Sequence, residues 1–372
     1  MADFKWPKRL NVISWMGVGV DVSKSWGDIL AKDTGMDVHV GGEFDTGYRF
    51  RWVGQLKLFD MTGGSPGETS QMLMADRKYA TRDGGPFPLR AVWVHSRGNS
   101  GFFTRADSKI KIPQDIKPGT KICNMLPYVA ATRVFDGLLA WAGVSRDEID
   151  WVDVHNSVEN WQTVIDGKAE LSFSFPTSPT MWDAYNTKAS TSWIDLNSEK
   201  DPEGARRFRE HDPLVNFGPI LEGGVPSSQG KWGTAAINLE ITREGLDKDL
   251  VYNIAKWFDL NYARYCEGHP ENRYRNRETL AEALKVSYIP CHEGLIAYLK
   301  DIGMWSPAHE KRQKENVALV DRYVKAYEEV MWEADKKRIW VSPESDEWQQ
   351  FWGEYRDANL PPFKLFTELP KA

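Results

Sequence analysis

The chain has 372 residues and a formal net charge of −6. At a soft prior of about 150 residues per domain it holds two or three domains, each large enough for its own core. The acidic balance and scattered basic residues exclude a general nucleic-acid binder, and no apolar run reaches the roughly 18 residues of a membrane span.

Three cysteines, Cys123, Cys266 and Cys291, make neither a disulfide framework nor a paired zinc site, although a single Cys266–Cys291 bridge stays open. The N-terminus, Met1-Ala2-Asp3-Phe4-Lys5-Trp6, lacks the apolar stretch of a signal peptide. The 17 tryptophans are the compositional outlier. Some must fill cores, and so many invite a second use as flat walls of a ligand cleft.

Leu10 to Trp15 reads as a strand running into a glycine-bearing loop, Met16-Gly17-Val18-Gly19. Ser25 to Lys32 follows as a helix with Trp26, Ile29 and Leu30 on one face, and Met36 to Val40 as a second strand. This βαβ rhythm predicts a parallel sheet with ligands at the carboxyl ends of its strands. Gly17-x-Gly19 is no dinucleotide fingerprint, because Val22 stands where a third glycine belongs.

Met61 to Pro88 is rich in glycine and proline and reads as loop. Leu89 to Val94 and Gly101 to Thr104 read as two strands. Leu126, Ala130, Val134 and Leu138 form an apolar stripe of a helix with Pro127 in its first turn and Gly143 past its end. Ser145-x-x-Glu148 is a capping box before a strand at Ile149 to Val154. Asn156 or Ser157 caps a further helix stopped at Gly167, and Leu171 to Phe175 is the next strand.

Trp193 to Glu222 is polar and irregular. Thr234 to Ile241 alternates like a strand returning to the first lobe. Helical patterns occupy Leu250 to Phe258, Thr279 to Leu284, Leu295 to Ile302 and Glu315 to Ile339. The tail from Trp340 reads as an appendage over the surface.

Three blocks carry a family resemblance. They are Arg105-Ala106-Asp107-Ser108-Lys109-Ile110 with Asp115-Ile116-Lys117 and Gly119; Trp141 to Ile149 with Asp166-Gly167-Lys168 and Phe175-Pro176-Thr177-Ser178-Pro179-Thr180; and Ile289-Pro290-Cys291-His292-Glu293-Gly294 through Trp305. In order and combination they resemble the TAXI group of extracytoplasmic binding proteins that serve TRAP-type transporters, over roughly residues 10 to 335. The resemblance implies an α/β, two-lobe periplasmic-binding-protein fold (venus-flytrap, type II) with an interlobe ligand cleft. Lobe I would comprise residues 1–105 and 235–339, lobe II residues 106–234, and residues 340–372 a C-terminal extension packed on the surface. It also implies a periplasmic location after loss of a signal peptide, a monomer, a TRAP-type permease as partner, an organic acid as ligand, and neither cofactor nor metal nor catalytic residue.

Within that frame the expected ligand contacts are Met16, Gly17, Thr46, Gly47, Tyr48 and Arg49 from lobe I. From lobe II they are Asn124, Tyr128, Pro176, Thr177, Ser178 and Trp182. Arg49 or Arg51 would grip a carboxylate in bidentate fashion. Tyr48, Trp52 or Trp182 would stack on a planar body. The family's small hydroxylated loop is replaced by Cys123-Asn124-Met125-Leu126-Pro127-Tyr128, so the transport role carries over better than the family's small-acid ligand. Two other readings share the scaffold: a sensor module without a transporter, and an enzyme. For the latter the candidates are Asp153-x-His155, which reads first as a structural histidine, and Cys123 as a thiol at a helix start.

Overall fold

In a computed structural model, residues 4–128 and 130–371 are described. The reading of the N-terminus as lacking a signal peptide falls partly on residues 1–3, outside that range, and so does Val129 within the expected helix.

The first unit is β1 (Arg9–Trp15), α1 (Val18–Thr34) and β2 (Asp37–Glu43), with β2 parallel to β1 from Arg9 opposite Asp37 to Trp15 opposite Glu43. Then come α2 (Thr46–Gly54), β3 (Met61–Gly64) and α3 (Pro66–Leu73). The second helix falls where the sequence read as loop, and the first where the sequence reading placed no element. Each start has a local cause. Asp45 accepts the Gly47 N–H at 2.9 Å, and Ser65 and Glu68 form a reciprocal capping box with Pro66 in the first turn. Gly63 lies in the strand because a Cβ there would come within 2.3 Å of the Trp15 ring.

One 17-residue strand, β4 (Leu89–Arg105), replaces the two expected. Beyond it lie β5 (Lys121–Met125), α4 (Ala130–Ala142), β6 (Asp150–Val154), α5 (Ser157–Ile165), β7 (Leu171–Ser174), α6 (Pro179–Tyr185) and β8 (Thr191–Trp193). Leu126 and Pro127 form a turn ahead of α4 rather than its first turn, the Tyr128 N–H donating to the Met125 carbonyl at 2.9 Å. The Ser145/Glu148 box and the Asn156 cap form as the sequence predicts, Asn156 accepting from Val158 and Glu159. The irregular-looking stretch holds α7 (Pro202–His211) and β9 (Asn216–Pro219).

The chain returns through β10 (Trp232–Arg243) to α8 (Lys248–Leu260), α9 (Tyr262–Tyr265), α10 (Arg277–Val286), α11 (Glu293–Asp301), the 31-residue α12 (Pro307–Lys337) and α13 (Asp346–Asn359). The tail sends Trp348 and Trp352 into the lobe I core, where their indoles donate to the carbonyls of Ala80 and Met74 at 2.9 and 2.8 Å.

The strands run in the order β2-β1-β3-β10-β4-β7-β5-β6, with β8 on β4 and β9 on β10. Two separate hydrophobic cores result. One packs around β1, β3 and the N-terminal half of β4, the other around β5, β7 and the C-terminal end of β4. The long antiparallel strands β4 and β10 pass between the lobes, paired from Leu89 opposite Arg243 to Ser100 opposite Thr234. The middle of β4, His95 to Ser100, is polar because it leaves one core before entering the next. That polarity made one strand look like two. The expected two-lobe α/β fold of the venus-flytrap type, with a cleft between the lobes, is the architecture observed.

Candidate functional site

The cleft lies between the lobes over β4 and β10. Its cavity volume is about 90 Å³. From lobe I it is walled by Trp15, the N-terminal turns of α1 and α3, Gln71 and His95. From lobe II come Tyr128, Arg133, Phe173 and Phe175, with Asp212 at the end of α7. A second chamber of about 40 Å³ shares Trp15, Tyr128, Phe173 and Phe175 and adds Met16, Ser178 and Thr180.

The lobe I wall is fixed from behind by two buried charge clusters. Arg49 donates to Glu68 Oε1 at 2.7 Å, to Thr62 Oγ1 at 2.9 Å and to the Gly63 carbonyl at 2.8 Å. Its guanidinium stands 4.6 Å from the centroid of the Trp15 ring, and the Trp15 indole donates to the same Glu68 oxygen at 2.8 Å. The second cluster is His95, Glu240 and Arg275. Glu240 Oε1 meets His95 Nδ1 at 2.8 Å and accepts from Arg275 at 3.0 Å. Burial pushes the Glu240 carboxyl up, but the adjoining His95 and Arg275 outweigh it and hold it at about 2. A β-bulge aims His95. The pairing steps from Asn238 opposite Ser96 to Leu239 opposite Val94, leaving His95 without a partner in register.

Four buried side chains on the cleft wall have polar atoms with no partner: His95 Nε2, both amide atoms of Gln71, Asn238 Oδ1 and Asp212 Oδ1. Asp212 is held above the ordinary carboxylate range because burial outweighs the pull of Arg133. Such groups are costly to bury unpaired and mark a place where a ligand or water belongs.

Polar contacts join the lobes at the rim. Thr177 Oγ1 donates to Glu271 Oε1 at 2.6 Å. Arg133 pairs with Asp76 at 2.9 Å, Arg77 with Asp136 at 3.4 Å, and Lys78 donates to the Leu126 carbonyl at 2.8 Å. Phe44 stacks on Tyr128 with ring centroids 6.0 Å apart.

The structure brings several of the expected residues together. Met16, Tyr128 and Ser178 line the second chamber. Gly17, in the left-handed region at φ 83° ahead of α1, faces Ser178, whose Oγ would lie 3.6 Å from a Cβ at that glycine. Pro176 and Thr177 stand at the adjoining rim. Others lie elsewhere. Arg49 is fully buried with both Nη atoms engaged by Glu68, Thr62 and Gly63, so it braces Trp15 and offers no open carboxylate clamp. Thr46 is buried beneath the wall, bonded to the Tyr79 hydroxyl at 2.9 Å. Gly47, Tyr48 and Arg51 face a separate surface hollow next to the tail, Arg51 pairing with Asp83. Asn124 bonds Asp153 at 2.8 Å on the surface of lobe II, and Trp182 stands exposed, edge-on to Tyr185.

Cys123 lies in β5, fully buried, and burial pushes its thiol up to about 12, so it is no activated helix-start thiol. Cys266 and Cys291 are free. The His292 block is scaffold. Ala91 of β4 donates to the Pro290 carbonyl and accepts from the His292 N–H, and the His292 ring caps α11.

The sequence reading missed Trp15, Gln71, His95, Arg133, Asp212 and Asn238. The Ser65-Pro66-x-Glu68 start signal could have revealed α3 and with it Gln71. His95 was visible as the polar start of the apparent gap between two strands.

The whole arrangement, two α/β lobes on a pair of crossing strands with a polar cleft between them, defines the venus-flytrap class of binding folds. No family model and no curated protein matches the chain. Among solved structures, it is similar to the periplasmic aliphatic sulphonate binding protein SsuA from Escherichia coli at 13% identity, with a TM-score of 0.43 over 99% of this chain and 96% of that one. It is also similar to MatC from Rhodopseudomonas palustris with bound malate, at 14% identity and a TM-score of 0.47 over 87% and 99%. A third likeness is to the periplasmic VFT2 domain of Bordetella pertussis BvgS, at 12% identity and 0.42 over 70% and 92%. At this distance none of them assigns a ligand to this chain.

Proposed function

We propose that the protein captures a small organic acid outside the cytoplasm by closing its lobes, and delivers it to a TRAP-type membrane permease without altering it chemically. The observation that carries the capture reading is the interlobe cleft with its buried, unpartnered His95, Gln71, Asn238 and Asp212. Groups of this kind, held on a wall stiffened from behind, are what a binding site needs before its ligand arrives. The acid is favoured by a helix start at the cleft. That of α1 contributes Val18, and Gly17 leaves its first turn without a side-chain cap, whereas the starts of α3 and α5 are closed by their own Ser65/Glu68 and Asn156 caps. Arg133 stands at the cleft wall, its charge shared with Asp76 at 2.9 Å.

The transport partner rests on the resemblance of the three sequence blocks. The lobe limits of 1–105 with 235–339, and 106–234, with a C-terminal extension over 340–372, belong to the same proposal, as does the monomer. Native mass spectrometry of the purified protein, followed by calorimetric titration with the compound released, tests the reading. A stoichiometric carboxylate is the expected result. A protein that binds only neutral or cationic compounds overturns the acid, and steady turnover of the compound overturns capture.

A further inference from the structure

We infer that the larger chamber is a subsite for hydroxyl groups, so that the captured solute is a sugar acid, a carboxylate on a polyhydroxylated body. The inference rests on the capture reading and deepens it.

The unpartnered atoms on the chamber wall are mostly acceptors. Asn238 Oδ1 and Asp212 Oδ1 are carbonyl-type or carboxylate oxygens, and Gln71 contributes one acceptor and one donor group. His95 joins them. Its Nδ1 faces Glu240, so Nε2 is the ring atom left open toward the cleft. Each of these four side chains is more than nine-tenths buried.

They also sit on four different elements, β4, α3, β10 and the end of α7. One ammonium group has three donors at one point and no acceptor, so it cannot serve acceptors spread along a wall or satisfy the amide N–H groups of Gln71. A row of hydroxyls can, because each both donates and accepts. The wall also carries aromatic rings: Tyr128, Phe173, Phe175 and Trp15 line both chambers. An aromatic platform against planar amide and carboxylate side chains suits a sugar ring, with C–H groups on one face and hydroxyls at its edge. The carboxylate of such a ligand belongs with the uncapped start of α1.

Thermal shift and calorimetric titration with three probes of similar size test this: galacturonate, galactose and adipate, extended to gluconate and glucuronate as stereochemical variants. Binding of one or more of the sugar acids, with adipate weaker by a hundredfold or more, supports the subsite, because a site built to bond hydroxyls rejects analogues lacking them by roughly this factor or more. Galactose binding without binding of any sugar acid supports the hydroxyl subsite, but overturns the organic-acid reading beneath it. Adipate binding as well as the sugar acids overturns the subsite and leaves the organic acid standing. No binding of any sugar acid or sugar overturns the subsite.

A second readout is independent of which acid binds. Gln71→Leu removes two unpaired buried groups without adding charge. The ligand-free variant should unfold at a temperature equal to or above that of the parent, while its affinity for the sugar acid falls about tenfold. Unchanged affinity would remove Gln71, and with it the α3 side of the subsite.

Discussion

The two walls of the cleft are built differently. The lobe I wall is polar and rigid. Trp15, Gln71, His95 and Asn238 stand on strands and a helix whose other side is braced by buried ion pairs, Arg49 with Glu68 and Arg275 with Glu240. The lobe II wall is aromatic, with Tyr128, Phe173 and Phe175. Arg133 and Arg77 reach across the rim in part-exposed pairs with Asp76 and Asp136. On the proposed capture reading, most recognition groups are held rigid on lobe I, while the part-exposed pairs to lobe II are of a kind that breaks cheaply. Buried and rim charges of the same types serve opposite ends, because burial decides what breaking a pair costs.

The largest effect is expected where that difference is greatest. Arg275→Met leaves Glu240 ionised and buried, and should lower stability by about 3–5 kcal/mol, read as a drop in the urea midpoint. A loss under about 1 kcal/mol would mean that the lobe I wall is not braced as described. The same cluster sets an acid limit. Glu240 has a folded value of about 2, below the roughly 4.3 of an unfolded glutamate. Its contribution is therefore fully present above about pH 4.5 and is lost as pH falls through 2, with a size on the order of 3 kcal/mol. Urea midpoints measured from pH 5 down to pH 2 should fall more steeply for the parent than for Glu240→Gln. Parallel curves would remove Glu240 as the source.

The rim should respond more gently. Thr177→Val removes the hydrogen bond to Glu271, and Asp76→Asn weakens the pair with Arg133. Each should cost about 1–2 kcal/mol of lobe closure with little change in the stability of either core. Small-angle scattering of the ligand-free double variant should give a larger radius of gyration than the parent, and ligand should restore the compact value. An unchanged radius would place the closing force in the hinge strands instead.

The sequence made the strand–helix rhythm, several caps and the lobe alternation legible, because each depends on residues near one another in the chain. The Ser145/Glu148 box, the Asn156 cap and Gly143 after α4 are of this kind. The cleft was less legible for a physical reason. His95 owes its direction to a bulge against a strand more than a hundred residues away, and Asn238 lies on that partner strand. Arg49 looked like an open carboxylate clamp because nothing local reveals that Glu68 and Trp15 close over it. The tryptophans misled in the same way, since Trp348 and Trp352 are spent inside lobe I while Trp15 alone among the described tryptophans lines the larger chamber.

The smallest effect provides the sharpest check on that geometry. Tyr48 combines an exposed aromatic ring with a neighbouring arginine, and from sequence it belongs in a ligand site. In the fold it stacks on Trp52 at 5.8 Å beside the surface hollow near Arg51, Asp83 and Gln349, on the far side of buried Thr46 and Arg49 from the cleft. Tyr48→Ala should therefore leave ligand affinity unchanged, and alter stability by no more than about 1 kcal/mol through loss of the stacked pair. Trp15→Ala, by contrast, removes a wall of both chambers and should weaken binding at least tenfold, since a buried aromatic wall is worth several kcal/mol. Measured side by side by calorimetric titration, the two variants separate a ligand held between the lobes from one held in the surface hollow. A loss of affinity in Tyr48→Ala with none in Trp15→Ala would move the site out of the cleft.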